Sequence, residues 1–200
     1  MTAIVDYDTG NLRSVYNALG RIGAEYQITD NPDTIRRADH VLLPGVGEAS
    51  SAMEKLRERH LEEVIKSLTQ PVLGICIGMQ LMCQSSEEGN AQCMGIFPNK
   101  VKKFRIEEAS DEAHTIKVPH MGWNQISSLK TPLFDNIKEN SFLYFVHSFA
   151  ADVNTSTIAL CSNGTEFSAA LNRDNFFGTQ FHPEKSGSIG EQILRNFISL

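Results

Sequence analysis

Short apolar runs alternate with segments of helical periodicity through the first half of the chain. Strands are predicted at residues 3–5, 26–29, 41–43 and 72–75. Between the first two, apolar residues three and four apart predict a helix whose inner face carries Leu12, Val15, Tyr16, Leu19 and Ile22. A short segment containing Pro32 joins the second strand to the third, and a longer helix is predicted from about Glu48 to Ser67. This alternation is typical of a parallel sheet with crossover helices.

The second half of the chain has a different pattern. From Lys100 to Phe181 the apolar segments are short, rich in β-forming residues and separated by turn residues, which is typical of antiparallel strands. A final amphipathic helix follows, with Ser188 and Glu191 at the spacing of a capping box. The sequence contains no internal repeat and no linker. We therefore expect a single α/β domain over residues 1–200, with an antiparallel β extension in its second half.

Composition and charge argue against several classes of protein. The chain has 200 residues, a hydrophobic fraction of 41% and a net charge of −6, with its basic residues scattered, so no nucleic-acid surface is predicted. No apolar stretch is long enough to span a membrane and no targeting signal precedes the first strand, so a cytoplasmic protein is expected. The four cysteines show no C-x-x-C pair, and neither a disulfide framework nor a metal site is predicted.

One cysteine stands at a predicted strand-to-helix junction, in the segment GICIG. Gly74 and Gly78 lie two residues on either side of Cys76, and they remove the side chains that would clash in a sharp turn. Cys76 would then lie at a helix N-terminus, where the helix dipole favours a thiolate. This arrangement is typical of a nucleophile, although a small buried cysteine beside two glycines has the same pattern.

A cysteine nucleophile needs a base, and His182 is the candidate. It ends an apolar run and stands two residues before Glu184, so in an extended chain both side chains project to the same side. Glu184 could then bond one imidazole nitrogen while the other faces the thiol. Taken alone, the H-P-E segment is more often an ordinary turn at a strand end, but the Cys76 turn in the same chain favours the catalytic interpretation.

Acyl chemistry at a thiol also needs hydrogen-bond donors for the oxyanion. One predicted donor is the backbone N–H of Ile77, the residue after the nucleophile. The other candidate is the loop PGVG, residues 44–47, which includes Val46 and Gly47 and whose glycines allow close approach of the backbone to a ligand. By itself that loop is a weak signal, because most such loops are turns.

Taken in order, PGVG, GICIGMQL and FHPE resemble the class-I (triad) glutamine amidotransferases. The additional segments GNL, PHMGWN, YFVHS and TQFHPEKS narrow the resemblance to the glutaminase subunits of imidazole glycerol phosphate synthases, over essentially the whole chain. The resemblance implies a flavodoxin-like, doubly wound, mostly parallel sheet. It also implies hydrolysis of glutamine to glutamate and ammonia without a metal or cofactor, as a step of histidine biosynthesis.

The resemblance implies a role for each matching residue. Cys76 is the nucleophile, His182 the acid and base, and Glu184 the residue that orients the imidazole. Residues that match the substrate contacts of the family are Gln80, Glu88, Ser148 and Phe149. Relatives often carry tyrosine at the position of Phe149, so only a backbone contact carries over there.

The resemblance also implies a partner. The expected complex is a heterodimer with a (β/α)8-barrel cyclase, which uses the ammonia to make imidazole glycerol phosphate and the aminoimidazole-carboxamide ribotide. Residues that match the interface or gate region are Asn11, Met121, Trp123, Tyr144 and Lys185. In that family the PGVG backbone is thought to flip when the synthase binds its ligand, so we expect slow hydrolysis until the loaded partner docks.

Three other functions share parts of this pattern. Related glutaminases supply ammonia to barrel-type enzymes that amidinate surface sugars, and the PHMGWN and HPEKS segments favour the histidine pathway over them. A cysteine peptidase or stress-type protein on a similar sheet would not need Gln80 and Glu88. A catalytically dead binding subunit would usually lack one member of the Cys76, His182 and Glu184 set.

Overall fold

In a computed structural model, residues 1–8, 12–104 and 118–200 are described. The strands in these ranges are β1 (Thr2–Val5), β2 (Tyr26–Thr29), β3 (His40–Gly45), β4 (Val72–Cys76), β5 (Ser85–Ser86), β6 (Ala91–Gln92), β7 (Lys100–Lys103), β8 (His120–Ile126), β9 (Ser141–His147), β10 (Phe149–Ala151), β11 (Thr157–Asn163), β12 (Thr165–Arg173) and β13 (Phe176–Thr179). The helices are α1 (Leu12–Arg21), α2 (Pro32–Arg37), α3 (Ala49–Glu58), α4 (Leu61–Lys66), α5 (Ile77–Met82) and α6 (Gly187–Phe197).

The core is a mixed, mostly parallel sheet with the strand order β11-β12-β13-β4-β3-β1-β2. The strands from β13 to β2 pair in parallel, whereas β11 and β12 pair antiparallel at one edge. Every residue of β1, β4 and β13 is buried, as expected for strands covered on both faces. The predicted α/β class, with its parallel sheet and antiparallel extension, is confirmed.

The antiparallel extension contributes to three sheets. Strands β11 and β12 widen the central sheet at one edge, while β10, β7, β5 and β6 form a small second sheet. The hairpin of β8 and β9 forms the third, and its register places Trp123 opposite Tyr144 and His120 opposite His147. Within the described ranges, no helix is both long and apolar enough to cross a lipid bilayer.

Two local predictions were wrong, and one segment without a predicted structure forms a helix. The helix expected from Glu48 to Ser67 is two helices, α3 and α4, because His60 adopts a left-handed conformation (φ 56°) between them. The segment containing Pro32 is itself a short helix, whose N-terminus is capped by the Asn31 side chain. The last helix starts at Gly187, so Ser188 lies inside it and forms no capping box.

Candidate active site

The candidate site lies where three parallel strands end at one edge of the central sheet. Gly45, the last residue of β3, pairs with Cys76, the last residue of β4. On the other side of β4, Thr179 of β13 pairs with Ile75, and the chain then runs on to His182. Open α/β sheets bind ligands at this edge, because loops from several strands converge there.

The backbone at Cys76 has an unusual conformation, with φ 54° and ψ −109°. Few residues other than glycine adopt this conformation, and strained backbone of this kind is concentrated at functional sites. The turn is possible because Gly78 has no side chain: a Cβ atom there would lie 1.8 Å from the backbone oxygen of Leu43. The first turn of α5 therefore rests directly on β3 and presents the Cys76 thiol at the sheet edge.

His182 and Glu184 form a buried pair beside this turn. Nδ1 of His182 lies 2.8 Å from Oε1 of Glu184, and both side chains are almost inaccessible to solvent. Ser186 fixes the turn to β9, because its hydroxyl donates to the His182 carbonyl (2.6 Å) and accepts from the Tyr144 N–H (3.0 Å). The geometry holds one imidazole nitrogen on a carboxylate, which orients the ring.

Burial alone would lower the pKa of His182. Its interaction with Cys76, followed by the hydrogen bond and charge of Glu184, instead raises that pKa to about 10. In the part of the chain that the structure describes, Nε2 of His182 has no oxygen or nitrogen partner. The imidazole can therefore keep a proton near neutral pH and hold its second nitrogen ready for a reacting group.

A cavity of about 370 Å³ opens over Cys76 and His182. It is lined by Val46, Gly47, Cys76, Ile77, Gln80, Glu88, Pro119, Val146, His147, Ser148, Phe149, His182 and Lys185. The structure thus brings together all the predicted oxyanion and substrate residues around the thiol. Glu184 supports the cavity from behind His182.

Gln80 and Glu88 both line this cavity. The amide nitrogen of Gln80 donates to the Phe149 carbonyl (3.0 Å) and to Oε1 of Gln180 (2.8 Å), whereas its oxygen has no partner among the described residues. Glu88 accepts from the N–H of Ala49 (3.1 Å) at the start of α3. Burial raises the pKa of the Glu88 carboxyl, although the bond from Ala49 partly offsets this.

His147 forms one wall of the cavity and is not free to ionise. Burial is the main reason that its pKa is lowered from 6.5 to about 3. Its Nδ1 lies 2.8 Å from the Phe149 carbonyl, which can only accept, so the proton resides on Nδ1. Nε2 then accepts from Nδ1 of His120 at 3.0 Å. His147 is therefore a neutral side chain in the folded protein.

The neutral state of His147 predicts an acid-dependent loss of stability. Because the folded-state pKa is depressed, the unfolded chain binds more protons below pH 6.5, so stability is complete above that pH and falls as the pH drops toward about 3. The His147→Asn variant keeps a donor for the Phe149 carbonyl. Between pH 6.5 and about 4.5, we expect its free energy of unfolding to fall by about 2 kcal/mol less than that of the parent. Thermal melts across this pH range measure the difference.

The matched control for this prediction is His60→Asn. His60 is exposed and left-handed, a conformation that asparagine also tolerates. Its replacement should leave the acid slope unchanged. Equal slopes for the parent and His147→Asn would show that His147 does not carry the effect.

Comparison with known proteins identifies the family. The family model described as glutamine amidotransferase class-I matches residues 3–200. The chain belongs to this family. The thiol, imidazole and carboxylate at the sheet edge are therefore the candidate active site of a glutamine amidotransferase.

This amidotransferase has relatives of similar length. It is 51% identical over 198 residues to imidazole glycerol phosphate synthase subunit HisH of Bacteroides fragilis, covering 99% of this chain and 98% of that protein. The subunit of the same name from Shewanella loihica is 45% identical over 209 residues, covering 100% of this chain and 90% of that protein.

Solved structures show the same fold. A glutamine amidotransferase crystal structure superposes with a TM-score of 0.72 at 15% identity, covering 98% of this chain and 97% of that chain. A glutamine amidotransferase from Thermotoga maritima gives a TM-score of 0.63 at 14% identity, covering 97% and 80%. These distant structures support the fold of the amidotransferase and not its substrate.

The residues predicted to contact a partner lie mainly outside the cavity. Met121 and Trp123 are 66% and 56% exposed on β8, and Tyr144 packs edge-on against Trp123 from β9. Lys185 differs, because it lines the cavity of the amidotransferase. Asn11 lies outside the described residues.

Two polar residues near Cys76 of this amidotransferase were not predicted from the sequence. Gln180 donates to the Cys76 sulfur, and His147 lines the wall. Gln180 stands two residues before His182, so the same strand alternation that pairs His182 with Glu184 could have placed it on that side. His147 lies in the YFVHS segment, but a histidine at the end of a strand has no preferred role, so the sequence did not indicate what it does.

Proposed function

We propose that this chain is the glutaminase subunit of an imidazole glycerol phosphate synthase. It hydrolyses glutamine to glutamate and ammonia for histidine biosynthesis. The observation that carries the glutaminase assignment is the Cys76 thiol beside an imidazole whose far nitrogen is bonded to Glu184 (2.8 Å), within one cavity. The HisH subunits of similar length support the choice of pathway.

The geometry supports a two-step acyl transfer. The sulfur of Cys76 attacks the carboxamide carbon of glutamine, and protonated His182 gives its proton to the departing ammonia, leaving a thioester. His182 then takes a proton from water, whose oxygen attacks the thioester carbon and releases glutamate and the thiol. The raised pKa of His182 keeps a proton available for the first step. Glu184 holds the ring and stabilises its charged form.

The oxyanion of each intermediate needs two donors. We assign one to the N–H of Ile77, at the N-terminus of α5, and the other to the Val46–Gly47 backbone. Gly47 has φ 94° and no heavy atom would lie within 4 Å of a Cβ atom placed on it. This space allows the peptide to rotate, which fits a loop that is completed only when a partner docks.

The cavity offers complementary groups for the two ends of glutamine. The carboxylate of Glu88 and the Gln80 side chain in the cavity wall fit the α-ammonium group. Ser148 and the backbone beside Phe149 and Gly47 fit the α-carboxylate. The carboxamide then lies over Cys76.

Removing the charge of Glu88 tests this substrate orientation. The Glu88→Gln variant keeps an oxygen for the Ala49 N–H but loses the charge that faces the substrate ammonium. We expect KM for glutamine to rise about tenfold or more with a smaller change in kcat, because a charged hydrogen bond made before the chemical step is lost. Steady-state ammonia release measures both constants.

Glu87→Gln is the control for this substitution. Glu87 accepts from the Lys103 N–H (2.9 Å) and does not line the cavity. The Glu87→Gln variant should have the same KM for glutamine as the parent. The same KM for Glu88→Gln and the parent would contradict the assignment of Glu88.

We further propose that a (β/α)8-barrel cyclase docks on the hairpin of β8 and β9. Met121 and Trp123 are exposed there beside Tyr144, and exposed aromatic residues are common anchors of interfaces. Val146 of the same hairpin lines the cavity, as does Lys185. The hairpin and Lys185 would guide ammonia from Cys76 toward the cyclase.

Ammonia release by the chain alone and with the cyclase and its nucleotide ligand tests the proposed function. We expect strong stimulation by the loaded cyclase. Trp123→Ala should weaken the complex by about tenfold or more while the rate of the isolated chain stays the same. Tyr26→Ala is the control, because Tyr26 lies on β2, an edge strand of the central sheet, and not on the hairpin of β8 and β9. Hydrolysis without stimulation would retain the glutaminase and redirect the search to another ammonia acceptor, such as a sugar-amidinating enzyme.

A further inference from the structure

A chain of side-chain amides connects the wall of the cavity to the sulfur of Cys76. The Phe149 carbonyl accepts from Nε2 of Gln80 (3.0 Å), and the same nitrogen donates to Oε1 of Gln180 (2.8 Å). Nε2 of Gln180 then lies 3.6 Å from Sγ of Cys76. Both glutamines are buried, Gln180 completely.

The direction of this chain is set by the backbone. A carbonyl oxygen can only accept, so Phe149 requires the nitrogen of Gln80 to face it. The second N–H of that nitrogen points to Gln180, which must therefore present its oxygen. The amide nitrogen of Gln180 is left facing Cys76, and the sulfur is the acceptor.

We propose that Gln180 is a positioning residue that holds the Cys76 sulfur as a hydrogen-bond acceptor and so favours its thiolate form. This inference rests on the proposed function only in taking Cys76 as the nucleophile. An N–H donor stabilises a charged acceptor more than a neutral one, so the bond strengthens when the thiol proton leaves. His182 already holds a proton near neutral pH, so the thiol proton passes to solvent and the charged imidazole stabilises the thiolate.

This role differs from that of Glu184. Glu184 acts on the base, by orienting the imidazole and stabilising its charge. Gln180 acts on the nucleophile from the other end of the same turn segment. The side chain of Gln180 is held in place through Gln80 by the backbone of Phe149. Its N–H group is therefore already oriented toward the sulfur before the thiolate forms.

The pH profile of Cys76 alkylation tests the proposal without glutamine or a partner protein. Iodoacetamide reacts with thiolate, and peptide mapping by mass spectrometry separates Cys76 from the other three cysteines. The titratable side chains that line the cavity are Glu88, His147, His182 and Lys185, and all remain in each variant. A change in the profile therefore reports on Gln180.

Two substitutions separate the donor role from packing. Gln180→Met fills the site without a donor, whereas Gln180→Glu keeps an oxygen for Gln80 and removes the donor to sulfur. We expect the midpoint of the profile to move upward by about one pH unit in Gln180→Met, with about tenfold slower alkylation at neutral pH. Gln180→Glu should move upward at least as far, because a carboxylate then faces the sulfur.

The control is Asn99→Leu. Asn99 is a buried amide that donates to the Asp152 carbonyl (2.6 Å) and lies outside the cavity. The Asn99→Leu variant should be less stable than the parent, with the same midpoint of Cys76 alkylation. An unshifted midpoint in both Gln180 variants overturns the proposal. So does a shift in Gln180→Met alone, which would mean that only the acceptor for Gln80 matters. A missing glutaminase activity with shifted midpoints would count against the proposed function and not against Gln180.

Discussion

Exchanging Cys76 for glycine is expected to abolish glutamine hydrolysis and to give a more stable protein than the Cys76→Ala variant. Both substitutions remove the sulfur, so activity should fall by a factor on the order of 10³ or more in each. They differ in the backbone, because φ 54° and ψ −109° are readily adopted by glycine and strained for alanine. The strain relieved is about 1–3 kcal/mol, and it exceeds the extra unfolded-state entropy of glycine, about 0.5–1 kcal/mol.

Thermal melts and ammonia release, measured on the same two proteins, separate these effects. The glycine variant should melt about 2–4 °C above the alanine variant, since about 1 kcal/mol remains after the entropy is subtracted. A glycine variant that melts below the alanine variant would show that the turn at Cys76 is not strained. Residual hydrolysis close to the parent rate in either variant would remove Cys76 from the proposed mechanism.

The parts of the site that lie close together in sequence were the most predictable. Gly74, Cys76 and Gly78 stand within five residues, and the turn they predict depends only on local geometry. The pair of His182 and Glu184 follows from strand alternation over two residues. The structure brings these two local predictions to one sheet edge, because β4 and β13 are parallel neighbours.

The contacts missed from the sequence depend on distant residues. Gln180 reaches Cys76 across 104 positions, and its direction depends on Gln80 and on the Phe149 carbonyl. Predicting this series of hydrogen bonds requires the register between strands, and hydrophobic periodicity does not provide that register. The neutral state of His147 likewise depends on burial against Phe104, His120 and Phe167, which are distant in the sequence.

The errors in the helices have local causes. A continuous apolar periodicity from Glu48 to Ser67 hides the break at His60, since a single left-handed residue leaves the pattern on both sides intact. The six residues of α2 are too few to show periodicity, although Asn31 before Pro32 is an N-cap signal. Capping residues were therefore more informative there than hydrophobic spacing.

The largest loss of stability is expected from Gly78→Ala. The added Cβ would lie 1.8 Å from the backbone oxygen of Leu43 and 2.8 Å from its carbonyl carbon. No side-chain rotation relieves a clash with backbone, so α5 would have to move away from β3 in a closely packed core. We expect a loss of about 3 kcal/mol or more, and a melting temperature lower by about 10 °C.

Gly20→Ala is the matched control for this clash. Gly20 is exposed near the end of α1, and a Cβ there would meet no heavy atom within 4 Å. Alanine also favours helix over glycine, so this variant should be unchanged or more stable by up to about 1 kcal/mol. The two substitutions add the same methyl group, and only the backbone of Leu43 distinguishes them. Equal melting temperatures would mean that α5 does not rest on β3, and the turn that presents Cys76 would then need another explanation.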